Sequence, residues 1–106
     1  MKKPKTFIIF GKRIKIQYAP DLIEKYDING DYGQDLIRID EQLEDKLLWL
    51  TLIHEATHAL FDRCGIRQAV DSGVEEIICD NISTLMVENF ELAIKKNAPR
   101  KPRGGP

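Results

Sequence analysis

The chain has 106 residues, 42% apolar and 31% charged, with a net charge of −1. That length builds one domain around a single core, marginal in stability without further help, and the balance of apolar and charged residues is that of a soluble globular protein. No apolar run approaches the length of a membrane span, and Cys64 and Cys79 are too few for a disulfide framework and are expected as thiols.

The small net charge hides an asymmetry. Residues 95–106 (KKNAPRKPRGGP) hold five basic residues and no acid, so the rest of the chain is distinctly acidic. The Pro/Gly-rich residues 98–106 are expected to be a disordered basic tail, which leaves residues 1–97 as a single domain. At the other end Met1-Lys2-Lys3-Pro4-Lys5 leads into a strand-like segment rather than a signal-peptide core, and the cytoplasm is the expected location.

In chain order, Thr6–Phe10, Gly11-Lys12 and Arg13–Tyr18 read as a β-hairpin whose second arm alternates polar and apolar residues. Ala19-Pro20 ends it. Residues 21–26 suit a short helical turn with Asp21 as its cap, and Asp27–Gly33 carries turn chemistry. Leu36–Asp40 reads as a third short strand. A helix over residues 36–48 is the alternative, and the alternation of Ile37 and Ile39 with Arg38 and Asp40 favours the strand.

A long helix is expected from Glu41–Leu43 to Cys64, stopped by Gly65. Residues 66–72 connect it to another, with Asp71 or Ser72 as cap. That helix, Gly73 to Lys96, carries Val74, Ile77, Ile78, Ile82, Leu85 and Met86 at helical spacing, and Lys95 and Lys96 suit its macrodipole. Asn97-Ala98-Pro99 closes it. The expected class is α+β: an N-terminal hairpin and a short third strand packed on two long helices.

The first long helix contains His54-Glu55-Ala56-Thr57-His58, which is H-E-x-x-H. Residues four apart sit one above the other on a helix, so both imidazoles can meet one metal ion. Glu55 points to the side of that pair and can reach a water on the same ion. Two neutral imidazoles, a third ligand and an open position make a catalytic zinc site, with Glu55 as general base. An ordinary amphipathic helix is the bland alternative. Two facts weigh against it: the chain has only two histidines, both in the motif, and Leu52, Ile53, Ala56, Ala59, Leu60 and Phe61 imply burial, where an unpartnered imidazole is costly.

The third ligand must come from elsewhere, and Glu75-Glu76 at the apolar start of the next helix is the best supply of a carboxylate. Periodicity leaves both open, Glu75 nearer the middle of the apolar stripe and Glu76 at its edge, and either can instead serve the helix N-terminus. Asp80 favours Glu76, because it lies four residues on and can accept the other ring N–H of a ligand histidine. Cys79 is a softer candidate, more at home as a buried thiol.

His54-Glu55-x-x-His58 followed by Glu76-x-x-x-Asp80 resembles the gluzincin metallopeptidases, whose third ligand is a Glu in an E-x-x-x-D pattern on a following helix. Val74 before that Glu, and Ile78, Ile82 and Leu85 after it, are similar to their hydrophobic frame. The minimal forms (minigluzincins) and the ImmA/IrrE-type peptidases pair such helices with a short sheet. Over residues 6–94 the chain also resembles small phage- and prophage-encoded HExxH proteins: hairpin, Asp31-Tyr32-Gly33 turn, short I-x-I strand, then the motif helix. The resemblance implies a zincin-like fold.

The function expected is hydrolysis of a peptide, or of a flexible protein segment, by one zinc ion held by His54, His58 and Glu76, with Glu75 as alternative ligand. Manganese, iron and nickel also suit these ligands. The edge of Leu36–Asp40 is expected to align the substrate by β-augmentation. Tyr32 is a candidate oxyanion stabiliser on the strength of its turn, with Tyr18 and Tyr26 no worse. The alternative is a catalytically silent, metal-stabilised binding or regulatory module of phage or prophage origin, since so small a chain has little material for a cleft. Five basic residues without interleaved aromatics read as a solvated tail, not a nucleic-acid site.

Overall fold

A computed structural model describes residues 3–90, so the expectations for Lys95, Lys96 and the basic tail lie outside the described residues. The alternating N-terminal segment forms strands β1 (Thr6–Ile9) and β2 (Lys12–Ala19), antiparallel with Phe7 opposite Ile14. Its turn is Phe10-Gly11 rather than Gly11-Lys12. Both residues have positive φ, 49° and 75°, as the two-residue type I′ turn requires.

Helix α1 spans Leu22–Tyr26. Asp21 makes no side-chain cap and pairs instead with Lys25 at 3.1 Å. The cap comes from far along the chain: Asp40 Oδ2 accepts the Ile23 N–H at 2.9 Å, and Oδ1 accepts the Gln42 N–H at 2.8 Å. These bonds hold the buried Asp40 carboxyl below the usual carboxylate range.

The segment expected as a turn contains a strand, β3 (Gly30–Gly33), antiparallel to β4 (Leu36–Asp40) with Tyr32 opposite Ile37. Four residues with two glycines give little local strand signal. The ladder with β4 and the left-handed Gln34-Asp35 turn, φ 50° and 63°, create the strand. The sheet order is β1-β2-β4-β3, with β2 and β4 parallel and Ile16 opposite Ile37. β4 is therefore interior and has no free edge to offer a substrate. Among the described residues the free edges belong to β1 and β3.

Helix α2 runs Asp45–Cys64, starting later than expected because Asp40 organises a turn from which Leu43 enters the core. Gly65, at φ 83°, ends it as expected. After a 3-10 helix (Ile66–Gln68), helix α3 spans Ser72–Asn89, with Asp71 accepting the Val74 N–H. Phe90 is extended, so α3 stops short of Lys96.

The molecule is α+β, layered as sheet, α2 and α3. Ile14, Ile16, Ile37 and Ile39 of the sheet meet Leu48, Trp49 and Leu52 of α2. α3 packs chiefly on α2 rather than on the sheet. The face that α3 buries is Glu75, Cys79, Ser83 and Val87, whereas Val74, Ile77 and Leu85 of the expected stripe are exposed. Among the described residues no helix is long and apolar enough to cross a membrane.

Candidate metal centre

Helix α2 is covered on two sides, and its middle turns present His54 and His58 towards the first turns of α3. The two rings lie 4.9 Å apart between centroids, edge to face at 67°. Their Nε2 atoms are 3.2 Å apart. Glu76 Oε1 completes a triangle, 3.1 Å from His58 Nε2 and 3.3 Å from His54 Nε2, and its Oε2 is 3.1 Å from His54 Nε2. Zinc bonds of about 2.0–2.1 Å at tetrahedral angles place ligand atoms about 3.3 Å apart. The spacing of these three side chains fits a group that could hold one metal ion.

The far sides of both rings supply a second argument. His54 Nδ1 lies 2.8 Å from Asp80 Oδ1, and His58 Nδ1 lies 2.5 Å from Glu75 Oε2. Glu75 accepts from His58 Nδ1, so the neutral His58 ring has a lone pair at Nε2, while Asp80 lies at ion-pair distance behind His54. With both rings neutral and Nε2 unprotonated, two imidazole lone pairs and a carboxylate oxygen converge on one point. Such a donor set calls for a cation, and the outer carboxylates orient the rings towards it.

Glu55 is 8% exposed, and burial pushes its carboxyl up to about 7, with His54 opposing and Glu76 and Asp31 adding to the rise. Partial burial pushes Glu76 the same way, but His54 and His58 outweigh it and leave that carboxyl below its ordinary value. His54, Glu55, Glu76 and Asp80 line a cleft of about 430 Å³. Its other walls come from Gly30 at the start of β3 and from Leu50 and Thr51 of α2. Gly30 is required there: a Cβ would lie 2.6 Å from the Arg38 carbonyl oxygen and 3.0 Å from Thr51 Cγ2.

Of the residues expected at the site, His54, Glu55, His58, Glu76 and Asp80 come together. Glu75 does too, but behind His58 rather than among the converging atoms, and Arg67 Nε donates to it at 3.3 Å. Composition gave no hint of Arg67. Glu75 had a signal: neighbours on a helix are about 100° apart, so if one carboxylate meets the ion the other approaches from another side.

A second group, His58, Glu75 and Cys79, could also hold an ion. It shares His58 with the first, and its ring nitrogen is already engaged by Glu75. Burial first, then Glu75 and Glu76, push the Cys79 thiol up to about 12, so it is protonated and a weak ligand at neutral pH.

The tyrosines lie elsewhere. Tyr32 donates from its hydroxyl to Asp62 at 2.8 Å, Tyr18 donates to the Pro4 carbonyl, and Tyr26 is exposed on α1. None lines the cleft. Comparison of the chain with protein-family models, with curated proteins and with solved structures returns no match.

Proposed function

We propose that the chain is a zinc-dependent metallopeptidase of gluzincin type with a zincin-like fold, its metal held by His54, His58 and Glu76. One observation carries the reading: His54 Nε2, His58 Nε2 and Glu76 Oε1 lie 3.1–3.3 Å from one another beside a buried carboxylate that lines the same cleft. Zinc, when bound, supplies a Lewis acid and lowers the pKa of a water.

The chain's own residues do the rest. Glu55 accepts a proton from the attacking water and delivers it to the leaving amine, as its place in the cleft beside the converging ligand atoms allows. Glu75 accepts from His58 Nδ1 and leaves its Nε2 for the metal, and Asp80 lies 2.8 Å from His54 Nδ1 on the far side of that ring. The free edge of β3, beside the cleft, is the edge on which an extended peptide or flexible protein segment lies by β-augmentation. A cleft of about 430 Å³ falls within the range of small-ligand sites, which favours catalysis over a silent metal-stabilised module. The resemblance to phage- and prophage-encoded HExxH proteins carries with it such an origin.

The test is Glu55→Gln. The amide is nearly isosteric and leaves the ligands alone, so stoichiometric zinc should remain by elemental analysis. Hydrolysis of a mixed peptide library, followed by mass spectrometry, should fall by orders of magnitude. Undiminished cleavage by the variant would remove Glu55 from the mechanism, and loss of the metal from His58→Ala alone would leave only the ion site standing.

A further inference from the structure

Among the described residues the sheet has a second free edge, far from the cleft. The Lys5 carbonyl accepts the Ile16 N–H at 2.9 Å, so in the antiparallel alternation Lys5, Phe7 and Ile9 bond to β2. Thr6 and Ile8 therefore direct their N–H and C=O groups outward. Ile8 is 64% exposed and Phe10 71%, the most exposed large apolar side chains among the described residues.

Beside this edge lies an apolar groove of about 450 Å³, walled by Phe7 and Ile9 of β1, Trp49, Ile53 and Leu60 of α2, and Met86 of α3. The buried Trp49 indole N–H in it has no hydrogen-bond partner among the described residues.

Charge selects the occupant. Residues 1–20 carry six basic side chains and no acid, and all 17 acidic residues follow from Asp21 onward. Lys5, Lys12, Arg13 and Lys15 are exposed around the edge, with Arg13 opposite Ile8 and Lys15 opposite Thr6. Two copies paired through β1 would bring these cations together, as basic residues at edge strands prevent. We propose that β1 docks an extended segment of a partner protein, alternating apolar and acidic residues, as a fifth strand. Its apolar side chains enter the groove. Its acidic ones lie on the outer face, one strand away from the ends of Arg13 and Lys15. This surface is independent of the metal centre.

Trp49 is the only tryptophan, so its fluorescence reads the groove directly. The probe is a synthetic peptide of about eight residues alternating valine with glutamate, and its control replaces every glutamate by lysine. Added to the full chain, the glutamate peptide should shift Trp49 emission to the blue, and the lysine peptide should bind at least about tenfold more weakly. Ile8→Pro removes an outward N–H together with the Ile8 side chain at the groove and leaves the β1–β2 bonds in place, so it should abolish binding. Leu60→Glu on the groove wall should weaken it about tenfold, and covers the case in which the proline variant does not fold.

Equal affinity for the two peptides, full binding by a folded Ile8→Pro variant, or no shift at millimolar peptide would overturn the proposal. So would the other occupants. A dimer in sedimentation whose formation shifts Trp49 gives the edge to a second copy. Binding to phosphatidylserine vesicles but not to the peptide gives it to a lipid surface. A shift on Leu92→Glu without peptide gives the groove to residues 91–106 of the chain.

Discussion

Adjacent carboxylates on α3 meet different partners. Glu76 offers its oxygens to Nε2 of both histidines, while Glu75, 3% exposed, accepts from His58 Nδ1 and from Arg67. In a calorimetric zinc titration, Glu76→Ala should lose most of the affinity, since a ligand is gone. Asp80→Asn and Glu75→Gln should each weaken it by about 10- to 100-fold through ring orientation. A smaller loss from Glu76→Ala than from Glu75→Gln would mean that the ligand has been assigned to the wrong glutamate. Asp40 acts on stability instead. Its folded pKa is lowered, so its contribution is full above the unfolded value of about 3.9 and is lost as pH falls through the folded one. The urea midpoint of the wild type should exceed that of Asp40→Asn at pH 7, and the gap should close in strong acid. A gap independent of pH would mean that packing, not charge, makes Asp40 matter.

Elements are placed by contacts that their own residues do not announce. β3 lies against α2 because Gly30 has no Cβ, with the Arg38 carbonyl oxygen 2.6 Å from where that atom would sit. Gly30→Ala should therefore force β3 away from its neighbours and cost about 1–3 kcal/mol in urea unfolding, as overpacking does. Thr51→Ser added to it should recover little, because the nearest clash is with backbone. Full recovery in the double variant would locate the crowding at the Thr51 methyl instead. α3 is a similar case. Its polar Glu75 and Ser83 are buried while Val74, Ile77 and Leu85 are exposed, because its rotation on α2 brings carboxylates to the histidines.

At the scale of the molecule, the layering of sheet, α2 and α3 leaves α3 held chiefly by α2. Of the residues α3 buries fully, Cys79 and Val87 are apolar and Glu75 and Ser83 are not. A metal joining His54 and His58 to Glu76 would then be a substantial part of that contact. At metal concentrations about 100-fold above Kd, removing it should lower the melting temperature by roughly 10 °C. Amide exchange should rise first in α3 and last in β2 and β4. A melting temperature unchanged after verified metal loss would mean that α3 docks by its apolar contacts alone.

The sequence by itself determined what local periodicity and short-range spacing encode. His54 and His58 share a helix face because they are four apart on a segment free of Gly and Pro. Ile14 and Ile16 face the core because β2 alternates, and Gly65 ends α2 because it tolerates positive φ. Tertiary structure alone decided what depends on a partner distant in the chain. It made Gly30–Gly33 a strand by pairing it with β4, gave the cap of α1 to Asp40 instead of Asp21, and turned Tyr32 towards Asp62. It also divided the roles of Glu75 and Glu76. Their order along the helix sets only the angle between them, and the rotation of α3 against α2 sets which one reaches Nε2.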